Sequence, residues 1–132
     1  MGRRELEELC GRKKSQTVKL IEVTDLTRQI AEALDRRDEV AAQLLLSERE
    51  RPVRELSELE ESIRAYLLEL PEERAIRLNE LLSGGAAETE EEKPLAEETA
   101  RFRRLLEALL AFDRETSIRF GGSRSFYKKF RE

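Results

Sequence analysis

The side chains that most often perform chemistry are scarce in this sequence. It contains no histidine, so the commonest general base and metal ligand at neutral pH is missing. Cys10 is the single cysteine, which excludes an internal disulfide and a cysteine-rich zinc site, fits a reducing compartment, and suits a small core residue. Carboxylates are plentiful but poorly arranged. Glu88, Glu90, Glu91 and Glu92 crowd one short stretch, yet calcium loops set oxygen ligands at fixed offsets around a glycine-made turn, and this run has no such frame. A solvated acidic loop is expected there. Paired carboxylates acting as acid and base need a cleft that separates their pKa values, whereas the acidic residues here fall on polar helix faces or in that loop. Gly84-Gly85 and Gly121-Gly122 lack the lysine of a phosphate-cradling loop and are better read as helix terminators. No catalytic residue, cofactor site or metal site is expected, and an enzyme is the least favoured class.

What remains are surfaces. The stretch from Ser123 to Glu132 combines Phe126, Tyr127 and Phe130 with Arg124, Lys128, Lys129 and Arg131, a mixture that suits base stacking with phosphate pairing. The plainer expectation is that its aromatics fold back as a cover, or meet a protein partner, while the cations stay wet. With 29 acidic against 25 basic residues and a net charge of −4, no global positive field attracts nucleic acid or an anionic membrane. The second surface is the apolar stripe of Phe102, Leu105, Leu106, Leu109, Leu110 and Phe112. Most of it should be core. It is nonetheless wider than a three-helix seam requires, so a flank is left over to receive a partner helix with anchors at helical spacing.

These residues must be positioned by helices. A chain of 132 residues fits one domain, and 41% charged against 39% apolar residues is the balance of long helices with one apolar stripe and a solvated face. The opening MGRREL is charged and shows no apolar run, so a cytoplasmic protein is expected. From about residue 3 to 35, Leu20, Val23, Thr27, Ile30 and Leu34 make a narrow heptad seam, while Gly11 and the polar stretch Arg12 to Gln16 should loosen the first turns. Asp38 is placed to cap a second helix, from about 39 to 69, with Leu44, Leu45, Val53, Leu56, Leu59, Ile63, Tyr66 and Leu70 on one face. Pro52 predicts a kink or restart. A short helix over about 71 to 82 should turn Ile76, Leu78, Leu81 and Leu82 inward and end at Ser83-Gly84-Gly85. Residues 84–93 are the candidate mobile acidic loop. Pro94 opens the last long helix, to about 118. Glutamate-to-arginine pairs four residues apart recur along these helices: Glu8 with Arg12, Glu60 with Arg64, and Glu73 with Arg77 among them. Each is worth only about 0.2–0.5 kcal/mol and supports helicity without marking a site.

The expected fold is therefore all-α: an antiparallel bundle of three long helices and one short one over residues 1–122, followed by a basic aromatic tail over 123–132. Its expected action is to bind another protein. A homodimeric structural module using the same stripe is the alternative, and a regulator whose tail contacts nucleic acid comes third.

The order of segments resembles the bacterial flagellar export chaperones of the FlgN/FliT type. The resemblance lies in LTRQIAEALDRRDEVAAQLLLSERERPVREL, from Leu26 to Leu56, and LLEALLAFDRETSIRFGGSRSFYKKF, from Leu105 to Phe130, under half of the chain. It implies a small cytoplasmic bundle that holds late flagellar subunits, the hook-filament junction or filament-cap proteins, before export. It further implies that the C-terminal helical region, here Leu105, Leu106, Leu109, Leu110, Phe112 and Ile118, engages an amphipathic segment of the client. The sequence departs from the family pattern at Asp113-Arg114-Glu115-Thr116, which lacks the asparagine often found there, and at Gly121-Gly122, where the helix is cut short.

Overall fold

The computed structural model describes residues 2–120, and over them the protein is built from helices alone. Helix α1, Arg3–Asp35, forms on the heptad seam: Leu20, Val23, Thr27, Ile30 and Leu34 are all buried. Helix α2, Glu39–Leu68, runs back along one side of α1, so that Arg12 meets Ser62 and Arg51 meets Glu22 at the other end. The short α3, Glu72–Leu82, reverses the chain, and α4, Lys93–Phe120, returns parallel to α1. Thr17 meets Glu98 near one end of that pairing and Arg119 meets Asp35 at the other. Both long partners pack on α1 while scarcely touching each other.

Three apolar clusters hold the bundle. Leu6, Leu9, Cys10, Ile63, Leu78, Leu81 and Leu95 fill the base, where α3 closes it. Leu20, Val23 and Leu109 fill the middle, and Ile30, Ala33, Leu34 and Ala42 the hairpin end. Between base and middle lies a polar layer: Lys13, Gln16 and Thr17 from α1 with Glu98 and Thr99 from α4 are all buried. The polar stretch expected to loosen the start of α1 is thus fully helical, with Lys13 and Gln16 turned inward and Lys14 and Ser15 outward. Thr17 bonds its Oγ1 to the Lys13 carbonyl at 3.1 Å and to Glu98 at 2.8 Å.

Other expectations are corrected in detail. Helix α2 continues through the buried Pro52 as one element rather than restarting. Leu44, Val53 and Ile76 lie outward, at 61%, 41% and 55% exposure. Ile76 faces away because Leu78 and Leu81 supply the buried stripe of α3 and a short helix buries only one face. Glu8 pairs with Arg12 and Glu60 with Arg64 as expected, whereas Arg77 reaches Glu92 instead of Glu73.

The α1–α2 hairpin turns in very few residues. The Asp38 amide donates to the Ala33 carbonyl at 2.8 Å and the Arg37 amide to Leu34 at 3.0 Å, the paired bonds of a Schellman ending. Asp38 then accepts from the Ala41 amide at 3.0 Å, capping α2 as its position predicted. This geometry puts Arg37 at φ 60, the left-handed region. A side chain there costs roughly 1–2 kcal/mol, against the ~0.5–1 kcal/mol entropic penalty of glycine. Arg37→Gly should therefore stabilise the fold by about 0.5–1 kcal/mol in urea unfolding with the denaturant slope unchanged.

Candidate functional site

Because α2 and α4 pack on α1 and not on each other, a groove of about 540 Å³ opens between them. Leu56, Ser57 and Glu60 of α2 form one wall, Phe102, Arg103 and Leu106 of α4 the other, and Leu82 and Ser83 close the base. Lys13 and Gln16 form the floor. One helical turn further along each wall, Val53 and Leu110 continue the apolar strip at 41% and 52% exposure.

The floor is polar and largely buried. Lys13 is only 7% exposed, and its ammonium sits 4.0 Å from the centroid of the Phe102 ring. Burial pushes its pKa below the ordinary lysine range; Glu60 and Glu98 oppose that shift through space and Arg103 adds to it. Beside it, Gln16 donates through Nε2 to Glu60 at 3.0 Å, while its Oε1 is buried without a partner. Arg103 stands at the rim and donates to the Ser83 carbonyl.

The base wall is held by Arg77, which pairs with Glu92 and, at 3.1 Å, with the exposed Glu88. Arg77 clamps Glu92 with two bonds, Nε to Oε2 at 3.0 Å and Nη2 to Oε1 at 2.6 Å, and also reaches the Ala86 carbonyl at 3.0 Å. Glu92 in turn accepts from the Glu88 amide at 2.8 Å. The acidic run expected to be wholly solvated thus contains one buried carboxylate. Its partner was legible only as a helix-surface arginine. The Arg77 guanidinium holds the Glu92 carboxyl down to about 2 from the ordinary 4.5. A second groove, lined by Leu6, Cys10, Gly11 and Lys14 with Glu90 and Glu91 opposite, flanks the base, but burial pushes the Cys10 thiol pKa up and disfavours its nucleophilic form. Among the described residues, no group of three or more histidine, cysteine or acidic side chains is placed to hold a metal ion.

The residues expected to bind a partner divide by depth. Leu109 is core at 6% exposure. Phe102, Leu105 and Leu106 are half-buried against the middle cluster, with Phe102 and Leu106 lining the groove. Phe112 is half-buried, whereas Leu110 and Ile118 are exposed at 52% and 78%. Phe126, Tyr127 and Phe130 lie outside the described residues. Sequence reasoning missed the α2 wall and the floor. The signal for the floor was present, since Lys13 and Gln16 continue the buried spacing of Leu6, Leu9, Leu20 and Val23. The chain matches no family model, no curated protein and no solved structure.

Two outcomes follow from this geometry. Leu109→Ala should cost about 2–5 kcal/mol of stability while its neighbour Leu110→Ala costs under ~0.5 kcal/mol, as chemical denaturation would read out. A carboxyl whose pKa is lowered by folding stabilises above its ordinary value, and that contribution is lost as pH falls from about 4.5 towards about 2. Glu92→Gln should lower the melting temperature at pH 7 and flatten its decline across that acid range.

Proposed function

We propose that this protein binds an amphipathic helical segment of another protein in the groove between α2 and α4, with no chemistry of its own. The observation that carries the reading is the groove itself, with Leu56, Phe102 and Leu106 on walls left open because α2 and α4 share a partner but not an interface. Val53 and Leu56 on one wall and Leu106 and Leu110 on the other offer apolar contacts at successive turns. Apolar side chains at 41% and 52% exposure on otherwise charged helices are the kind of surface that a partner covers.

The resemblance to FlgN/FliT-type chaperones supports a more specific form of the reading. The client would be a late flagellar subunit, a hook-filament junction or filament-cap protein, held in the cytoplasm before export through its amphipathic C-terminal segment. Among the described residues no helix is long and apolar enough to cross a membrane, which is compatible with that setting. The resembling stretch from Leu105 contributes Leu106 to the α4 wall of the groove and Leu110 one turn beyond it.

Co-expression with the C-terminal segments of junction and cap proteins, followed by size-exclusion chromatography with light scattering, tests both levels. A stable one-to-one complex is expected. Val53→Asp with Leu110→Asp should abolish it with a melting temperature within about 4 °C of the parent, because both side chains are already exposed. Leu68→Asp, at 86% exposure near the end of α2, should leave the complex intact. No complex with any segment would remove the flagellar reading, and a dimer that the double substitution dissolves would replace it with self-association through the same groove.

A further inference from the structure

Lys13 is misplaced for a residue whose only task is packing. Its position in the α1 seam, between Leu9 and Leu20, would be filled more favourably by leucine or methionine, since an ammonium taken out of water loses hydration that must be replaced. The fold replaces it only in part. The Phe102 ring at 4.0 Å meets one side of the ammonium. Glu60 and Glu98 act on it through space, and among the described residues no carboxylate pairs with it directly. An ammonium carries three N–H donors, so donors remain without acceptors on a residue that lines the groove.

The other polar groups of the groove are more committed. Glu60 holds the Gln16 amide at 3.0 Å and Arg64 at 3.6 Å. Glu98 lies on the other side of Lys13 and holds Thr17 at 2.8 Å. Arg103 uses one nitrogen for the Ser83 carbonyl and keeps further N–H groups at the rim. Gln16 Oε1 is left over as an acceptor, but the groove is lined by two cations, Lys13 and Arg103, against the single carboxylate of Glu60, so charged donors are in excess where Phe102 and Leu106 form the wall. An occupant that is apolar throughout would seal the Lys13 ammonium in with those donors unmet, at a cost to binding. An occupant that brings an anionic acceptor would satisfy them with charge-assisted bonds in a dry setting, where such bonds are strongest.

Resting on the docking reading above, we infer that the partner helix carries one carboxylate side chain within its apolar face, placed to pair with Lys13 and Arg103 beside Phe102. The apolar anchors of that helix confer affinity, and the single acid sets its register and excludes helices that are apolar or basic at the same point. Lys13 is then a specificity residue that the fold tolerates at some cost to its own stability.

Three synthetic amphipathic peptides test this against the full chain by fluorescence anisotropy. They share leucines at steps of three and four and differ at one central position of the apolar face, which is Glu, Gln or Lys. The Glu peptide should bind about five- to tenfold more tightly than the Gln peptide, and the Lys peptide most weakly. In Lys13→Met the Glu and Gln peptides should converge to within about twofold, while Lys13→Arg, which keeps the charge, should retain the preference. Arg103→Gln should reduce it in part, a control that does not depend on replacing a buried residue. Equal binding of all three peptides to the parent protein would overturn the inference and leave the docking reading standing. So would a Glu preference that survives in Lys13→Met with its helical content intact. Failure of every peptide to bind would remove both.

Discussion

The arrangement depends on α1 serving as the common partner of α2 and α4. Its seam is narrow, yet it is flanked by polar positions that reach both neighbours: Arg12, Gln16 and Lys19 reach towards α2, while Thr17 and Asp35 meet α4. Two neighbours on separate flanks of one helix cannot also lie flat against each other without a broader apolar strip on each. The opening between them is a geometric result of that shared axis, and the base is closed only because α3 and Leu82 fill it.

The polar layer in the middle of the bundle is consistent with this view. A continuous leucine seam would let α4 slide along α1 by one turn with little change in packing. Thr17 bonded to Glu98, and Lys13 seated on Phe102, can be satisfied at one register only. Buried polar contacts of this type are known to set alignment at some expense in stability. Thr99 Oγ1 and Gln16 Oε1 lie buried without partners in the same layer, so the alignment is achieved imperfectly.

Helix positions were legible from periodicity and capping alone. The seam from Leu20 to Leu34, the Asp38 cap and the Gly84 terminator at φ 101 are local features, written in a few neighbouring residues, and each stands where its chemistry required. What was not legible depended on long-range partners. Glu92 looked like any member of an acidic run until Arg77, on another helix, turned towards it. Lys13 and Gln16 continue the seam by position, but their polarity read as a loosening of the first turns, because what a polar residue meets inside a bundle is not written in its own helix. The stripe on α4 was visible, but its division into a buried Leu109 and an exposed Leu110 reflects how far α2 stands away, which no pattern within α4 encodes.

The shared axis also has a bearing on the order of assembly. Helices α1 and α2 are joined by a tight hairpin and can pair as soon as both exist, whereas the contact of Thr17 with Glu98 spans 81 residues. During synthesis from the N-terminus, the face of α1 that α4 later covers must wait uncovered, with Leu20 and Val23 open to whatever is nearby. The polar residues on that face, Lys13 and Thr17, make the wait less hazardous by keeping the nascent hairpin from presenting an unbroken greasy edge to other chains.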